Sequence, residues 1–226
     1  PLRKSTAFSD FMISAVLILI IFLVAMIRLN PRLSSDYFSV TKIFSLRESD
    51  DDVFYYRLTS TNILFYLFAS MTLAVYLMVI GQFIEFKIGS SISSAGGYAL
   101  LLFSWLQVSL IILIFLFIKM LIIYGISTMF GFREMAGFHF FNFIRLILVI
   151  VGLLTLILIF YYILHGQSKV FYGLLQSILS WVLGGWIVLL FLKLINRVSY
   201  SVFHLFSYIC ATEIIPFLII VKILNE

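Results

Sequence analysis

The chain has 226 residues, 63% of them hydrophobic and 11% charged, with a formal net charge of +5. Soluble domains lie near half apolar and a quarter charged, so a water-soluble core cannot hide this much apolar surface; a lipid bilayer is the solvent that suits it. The charges fall between apolar blocks, which makes them topology determinants rather than a nucleic-acid surface, and the lone cysteine, Cys210, excludes an intrachain disulfide or a Cys-based metal spacing.

The first apolar run covers 11–27. It is long, no small-residue cleavage pattern follows it, and Arg28, Leu29, Asn30, Pro31 and Arg32 close it, so it reads as a retained helix and not a signal peptide. Five further runs follow at 63–83, 98–124, 140–163, 172–195 and 202–224. About 20 residues rising about 1.5 Å each cross a hydrocarbon core of about 30 Å, and each run meets that length within a few residues. The run at 98–124 exceeds it, which predicts tilt or overhang. Apolar character all round excludes the alternation of a membrane barrel, and backbone groups in lipid must bond within their own segment. The predicted fold is an all-α integral membrane protein, a single polytopic domain over 1–226 with about six transmembrane helices.

Between the first two spans lies the one sizeable polar region, 28–62. Within it the stretch 34–46, with Tyr37, Phe38, Ile43, Phe44 and Leu46 among polar residues, has the pattern of an amphipathic helix on the membrane surface. The run Glu48, Asp50, Asp51 and Asp52 lacks the turn-forming glycine and convergent ligands of a metal loop and reads as a solvated face. Lys and Arg set the orientation. Ten of the 15 fall on the side of the first, third and fifth loops, which places those loops in the cytoplasm and both termini outside.

Glu213 is the leading candidate for a functional residue. It lies within the last apolar run, where a carboxylate costs a few kcal/mol and must be neutral, paired or facing water. Pro216 removes a backbone donor and crowds the turn at Thr212, predicting a kink beside it. Two readings of Glu213 stand: a titrating or substrate-binding carboxylate, or an interhelical clamp, with the clamp favoured. Its candidate partners are Arg145, whose planar fork can hold a carboxylate bidentately, and Lys119; the default for both is to reach toward the headgroups. His139 and His165 fall at predicted helix ends on opposite faces and cannot share a metal, and His204 lies about two turns before Glu213. All three read as interfacial histidines; no catalytic residues, metal site or cofactor are predicted. Gly173, Ser177, Ser180 and Gly184, in pairs four apart, form a small-residue face that admits another helix, from this chain or from another subunit.

Four segments in order carry a resemblance: Asn30-Pro31-Arg32, Phe44-Ser45-Leu46-Arg47, Phe141-Asn142-Phe143-Ile144-Arg145 and Thr212-Glu213-Ile214-Ile215-Pro216. Together they resemble an uncharacterised family of bacterial integral inner-membrane proteins, a domain-of-unknown-function family, over nearly the whole chain. The resemblance implies a bacterial inner membrane and brings no activity or site role. Membrane lipids and other inner-membrane proteins are the expected partners, and nucleic acid is not. The expectation is a non-enzymatic subunit or accessory factor of a membrane complex, in envelope biogenesis or protein export; the alternative is a small-solute or proton-coupled transporter using Glu213 with Arg145 or Lys119.

Overall fold

The computed structural model describes residues 7–45, 60–83, 97–165, 169–196 and 202–216, with 218 and 222. Among these every regular element is helical: α1 (Ala7–Leu29), α2 (Pro31–Tyr37), α3 (Val40–Phe44), α4 (Ser60–Phe83), α5 (Tyr98–Met129), α6 (Arg133–Leu146), a π turn (Ile147–Val151), α7 (Gly152–His165), α8 (Lys169–Ile195), α9 (Val202–Ile209) and a second π turn (Cys210–Ile214). Five stretches are long and apolar enough to cross a membrane: α1, α4, α5, the continuous α6–π–α7 rod, and α8. The protein is an all-α membrane-spanning bundle. Of the sixth predicted span the described part is the shorter apolar helix Val202–Ile214 and a few residues beyond it. The acidic run 48–52, Arg3, Lys4, Lys87 and the end of the sixth span lie outside the described residues.

Helix α4 is the centre. Within its spanning stretch 72% of residues are buried, against 22% in α5. Its inward positions include Ala69, Ser70 and Ala74, small side chains that let neighbouring backbones approach where lipid offers no hydrophobic force to bring helices together. Helices α1, α5 and α7 pack on it. At one face of the bundle, Phe8 of α1 meets Tyr162 of α7 and Tyr161 stacks on Phe171 of α8 at 3.6 Å. Phe11 of α1 meets Trp105, two turns into α5. The start of α5 therefore lies near this face.

From there α5 runs 32 residues. At about 1.5 Å each that is about 48 Å, about 18 Å more than a hydrocarbon core. The overhang expected from sequence is thus real in length and larger than the run 98–124 implied, because α5 continues to Met129 and α6 starts at Arg133 rather than near residue 140. The two join in a tight hairpin. Gly131 adopts φ +75°, and the amides of Gly131 and Phe132 donate to the carbonyls of Thr128 and Ser127. That is a Schellman closure, in which a left-handed glycine lets the helix's last carbonyls find donors. The Ser127 hydroxyl also donates to the Phe132 carbonyl.

The amphipathic stretch after α1 is not one surface helix. Pro31 starts α2 at the position where a missing N–H costs nothing, and Ser39 restarts the chain as the N-cap of α3. Tyr37 and Ile43 point into the protein, not to lipid headgroups. Tyr37 stacks on Phe65 at 4.3 Å, meets Phe141 at 4.4 Å and donates to Asn62 Oδ1. The segment caps the bundle from the end opposite the Phe8–Tyr162 contact.

Candidate functional site

Two clusters of buried polar side chains lie at this capped end. The first centres on Glu213, which is 5% exposed. Its Oε2 accepts from Lys119 Nζ of α5 at 2.9 Å, and its Oε1 from His139 Nε2 of α6 at 2.8 Å. On the other side of the imidazole, Nδ1 meets the Tyr208 hydroxyl of α9 at 2.8 Å. A carboxylate only accepts, so Nε2 donates to Glu213, while the Tyr208 hydroxyl, donor and acceptor both, can pair with Nδ1 in either direction. Lys119 also sits 3.8 Å over the Phe143 ring, a cation–π contact. Lys119 and Glu213 pair as cation and anion, as a low-dielectric interior demands of buried charges.

The second cluster surrounds Asn142 of α6. Arg145 Nε donates to the Asp36 carbonyl at 3.0 Å, and its Nη1 to Asn142 Oδ1 at 3.0 Å and to the Lys42 carbonyl. Lys193 Nζ of α8 donates to the Lys42 carbonyl at 2.7 Å and to Asn142 Oδ1 at 3.0 Å. Arg145 lies 4.7 Å from the Phe141 ring. Asp36 and Lys42, which pair through their side chains at 2.6 Å, sit near the C-termini of α2 and α3. Helices this short leave their last carbonyls without intrahelical donors, and those carbonyls carry the negative end of the helix dipole. Two buried cations supply what is missing. Burial also pushes the Tyr37 phenol well above its ordinary value, so it stays a neutral donor.

Lys119 stands 21 residues beyond Tyr98 on α5, about 32 Å along the helix and so about one full core thickness. Phe143 and Arg145 lie at the same level through their contacts with Lys119 and with α2. Both clusters thus form one polar layer, on the side of the bundle toward the C-terminal end of α5.

Several expectations change. Arg145 does not meet Glu213; it is committed to α2, α3 and Asn142, and Lys119 takes the carboxylate instead. Neither cation reaches out to headgroups: Arg145 is 1% exposed and Lys119 faces inward. His139 is not an interfacial residue at a helix end, because α6 begins two turns earlier than the apolar pattern suggests and carries it inside. His204 is exposed and takes no part. Thr212 is buried and its hydroxyl donates to the Tyr208 carbonyl, holding its own helix. The kink expected at Pro216 appears as the π turn Cys210–Ile214, whose Ile215 amide reaches back to the Cys210 carbonyl. A π turn absorbs the irregularity ahead of the proline without breaking the helix.

On α8, a side chain placed at Gly173 or Gly184 would meet nothing within 4 Å, and Ser177 donates to the Gly173 carbonyl on an exposed face. No described helix of the chain uses this small-residue stripe; the Ser180 side chain lies outside the description. A groove of about 320 Å³ opens between α1, α4 and α7, lined by Val16, Leu19, Phe38, Phe68, Gly152 and Leu156 among others, and it is apolar.

A family model described as a domain of unknown function (DUF4271) matches residues 12–224. The chain belongs to this family. No curated protein and no solved structure compared with it matches. In this DUF4271 chain the residues that sequence reasoning missed are His139, Asn142, Lys193 and Tyr208. One signal was present: His139, Asn142 and Arg145 recur every third residue, which draws a polar stripe along one face of α6. No comparable pattern marks the carbonyls that Arg145 and Lys193 reach.

Proposed function

We propose that this DUF4271 protein is a non-enzymatic subunit or accessory factor of a multi-protein membrane complex, seated in a bacterial inner membrane with its first, third and fifth loops in the cytoplasm. The observation that carries this reading is the apolar tip of the α5–α6 hairpin and its neighbour α9. Met129 lies about 46 Å along α5 from Tyr98, past the thickness of a hydrocarbon core, and is 86% exposed; Phe203 of α9 is 73% exposed. Exposed apolar side chains this far along an overlong helix support a surface that another protein covers. The two polar clusters support the same reading, since their donors and acceptors bond to one another and stiffen the scaffold that presents the tip. The test is purification of the tagged protein from native membranes with cross-linking mass spectrometry. A defined partner cross-linked near 129 and 203, and lost in the M129E/F203E variant, is the expected result. A monodisperse, partner-free protein sinks the proposal.

A second reading, a proton-coupled transporter, draws on the order Tyr208–His139–Glu213–Lys119, which is that of a proton relay. The cation on this path is Lys119 and not Arg145. If Glu213→Gln leaves proton flux into proteoliposomes unchanged, that reading fails.

A further inference from the structure

The groove between α1, α4 and α7 has features that a gap in helix packing does not need. The two hydroxyls that line it, of Thr72 and Thr155, are turned back to the carbonyls of Phe68 and Val151 in their own helices, so its walls offer no polar handle. Gly152, which follows the first π turn, leaves open space on it: an added Cβ would meet nothing within 4 Å, so no close helix contact demands glycine there. The groove also keeps to one half of the span. Val16 lies near the midpoint of α1, and Leu23 stands five residues before Arg28 at its end. Leu148 to Ile159 on the α6–π–α7 rod covers about 16 Å, about half of a hydrocarbon core. We propose that this groove binds one acyl chain of an anionic phospholipid whose phosphate lies at Arg28 and Arg32.

Position and charge together choose that occupant. Ile20, Leu153 and Leu156, all on the groove, are exposed on the outside of the bundle, so a chain enters it from the bilayer. Arg28 stands in the last turn of α1 and Arg32 in the first turn of α2. Both are exposed, and among the described residues neither has an ion-pair partner. Asp36, the acidic residue described between α1 and α3, is taken by Lys42 at 2.6 Å. Two guanidiniums left without an anion just past a span attract acidic lipid, and the planar fork of each matches a pair of phosphate oxygens. A zwitterionic lipid brings its own cation beside the phosphate and gains less from them. The second polar cluster fixes the charged end of the groove. Phe38 closes it there, edge-on to Phe68 at 6.4 Å, and Arg145 and Lys193 hold the segment that carries Phe38 through the Asp36 and Lys42 carbonyls.

The test is native mass spectrometry of the full chain, delipidated in detergent and titrated with phosphatidylglycerol or phosphatidylcholine of identical chains. The expected result is one saturable phosphatidylglycerol adduct, bound several-fold more tightly than phosphatidylcholine. Arg28→Gln/Arg32→Gln should bring the two lipids to equal affinity. Gly152→Leu, a good helix former that fills the groove, should weaken both several-fold. Equal affinities in the wild type, a preference unchanged in the arginine variant, or an adduct that survives Gly152→Leu each overturn the proposal. Because Gly152→Leu can fail to fold, photo-cross-linking of the wild type in native membranes, with phosphatidylglycerol carrying a diazirine in its acyl chain, gives an independent decision. Adducts concentrated around Leu19 and Leu156 sustain the proposal. Adducts spread evenly over the exposed faces of α5 and α8 overturn it. So do adducts on those faces with none in the groove, the pattern left when another protein's helix fills it.

Discussion

The two polar clusters share a layer, yet they hold the bundle by different means. Around Glu213, charge answers charge: a lysine, a carboxylate, an imidazole and a phenol from three helices complete one another through side chains. Around Asn142, two cations are spent on backbone carbonyls at the ends of α2 and α3. The first arrangement ties transmembrane helices together. The second ties a short connecting segment onto them. The contrast teaches that a buried cation in this chain need not signal a buried anion, since a frayed helix end is itself an acceptor.

Breaking the first cluster has the largest expected effect. Glu213→Leu leaves Lys119 without its carboxylate in a site where only 13% of the lysine side chain is exposed, and should cost about 3 kcal/mol in an SDS-unfolding titration. Adding Lys119→Met should recover most of that loss, because an apolar pair replaces an ionic one at little cost. If the double variant is stable but inactive in a flux assay, the clamp reading is lost and the relay reading gains.

Breaking the second should cost less globally and more locally. Arg145→Met removes donors to the Asp36 and Lys42 carbonyls and to Asn142, about 2 kcal/mol. Its signature is faster proteolysis in the region 31–44 with the remaining helices intact. If instead the whole bundle loosens, the two clusters are one cooperative unit and the contrast drawn here falls.

A smaller effect belongs to the hairpin. Gly131→Ala puts a Cβ at φ +75°, about 1 kcal/mol of strain. The space around it is open, so the loss should be the same for Ala and Ser. The smallest change is Tyr37→Phe, which removes one hydrogen bond to Asn62, about 1 kcal/mol or less. Since burial raises the Tyr37 value above 10.0, the phenol is neutral in both folded and unfolded chains below that pH, and the difference between wild type and variant should be constant there. As pH climbs past it, only the unfolded phenol ionises, so the wild type loses stability that the Phe variant keeps.

Much of the fold was legible in the sequence because the bilayer imposes a rule that composition obeys directly: long apolar runs become helices, since backbone groups have no other partners in lipid. The spans, the overlong third helix and the oddity of a carboxylate in the last run follow from that rule. Which cation meets Glu213 did not. Lys119 and Arg145 lie in the same polar layer, and the rotation of α5 and α6 about their axes decides which of them faces the carboxylate and which the connecting segment. The start of α6 set that rotation and depth, and it lies in a stretch with Arg133, Glu134 and His139 where the apolar pattern is weakest. Sequence alone therefore determined that this protein lives in a membrane, which five runs form helices long enough to cross it, and that Glu213 needs partners. Only the tertiary structure decided that Lys119, His139 and Tyr208 are those partners and that Arg145 and Lys193 hold a loop. The reason is that carbonyl acceptors and helix rotation are properties of the folded backbone, and no residue type encodes them.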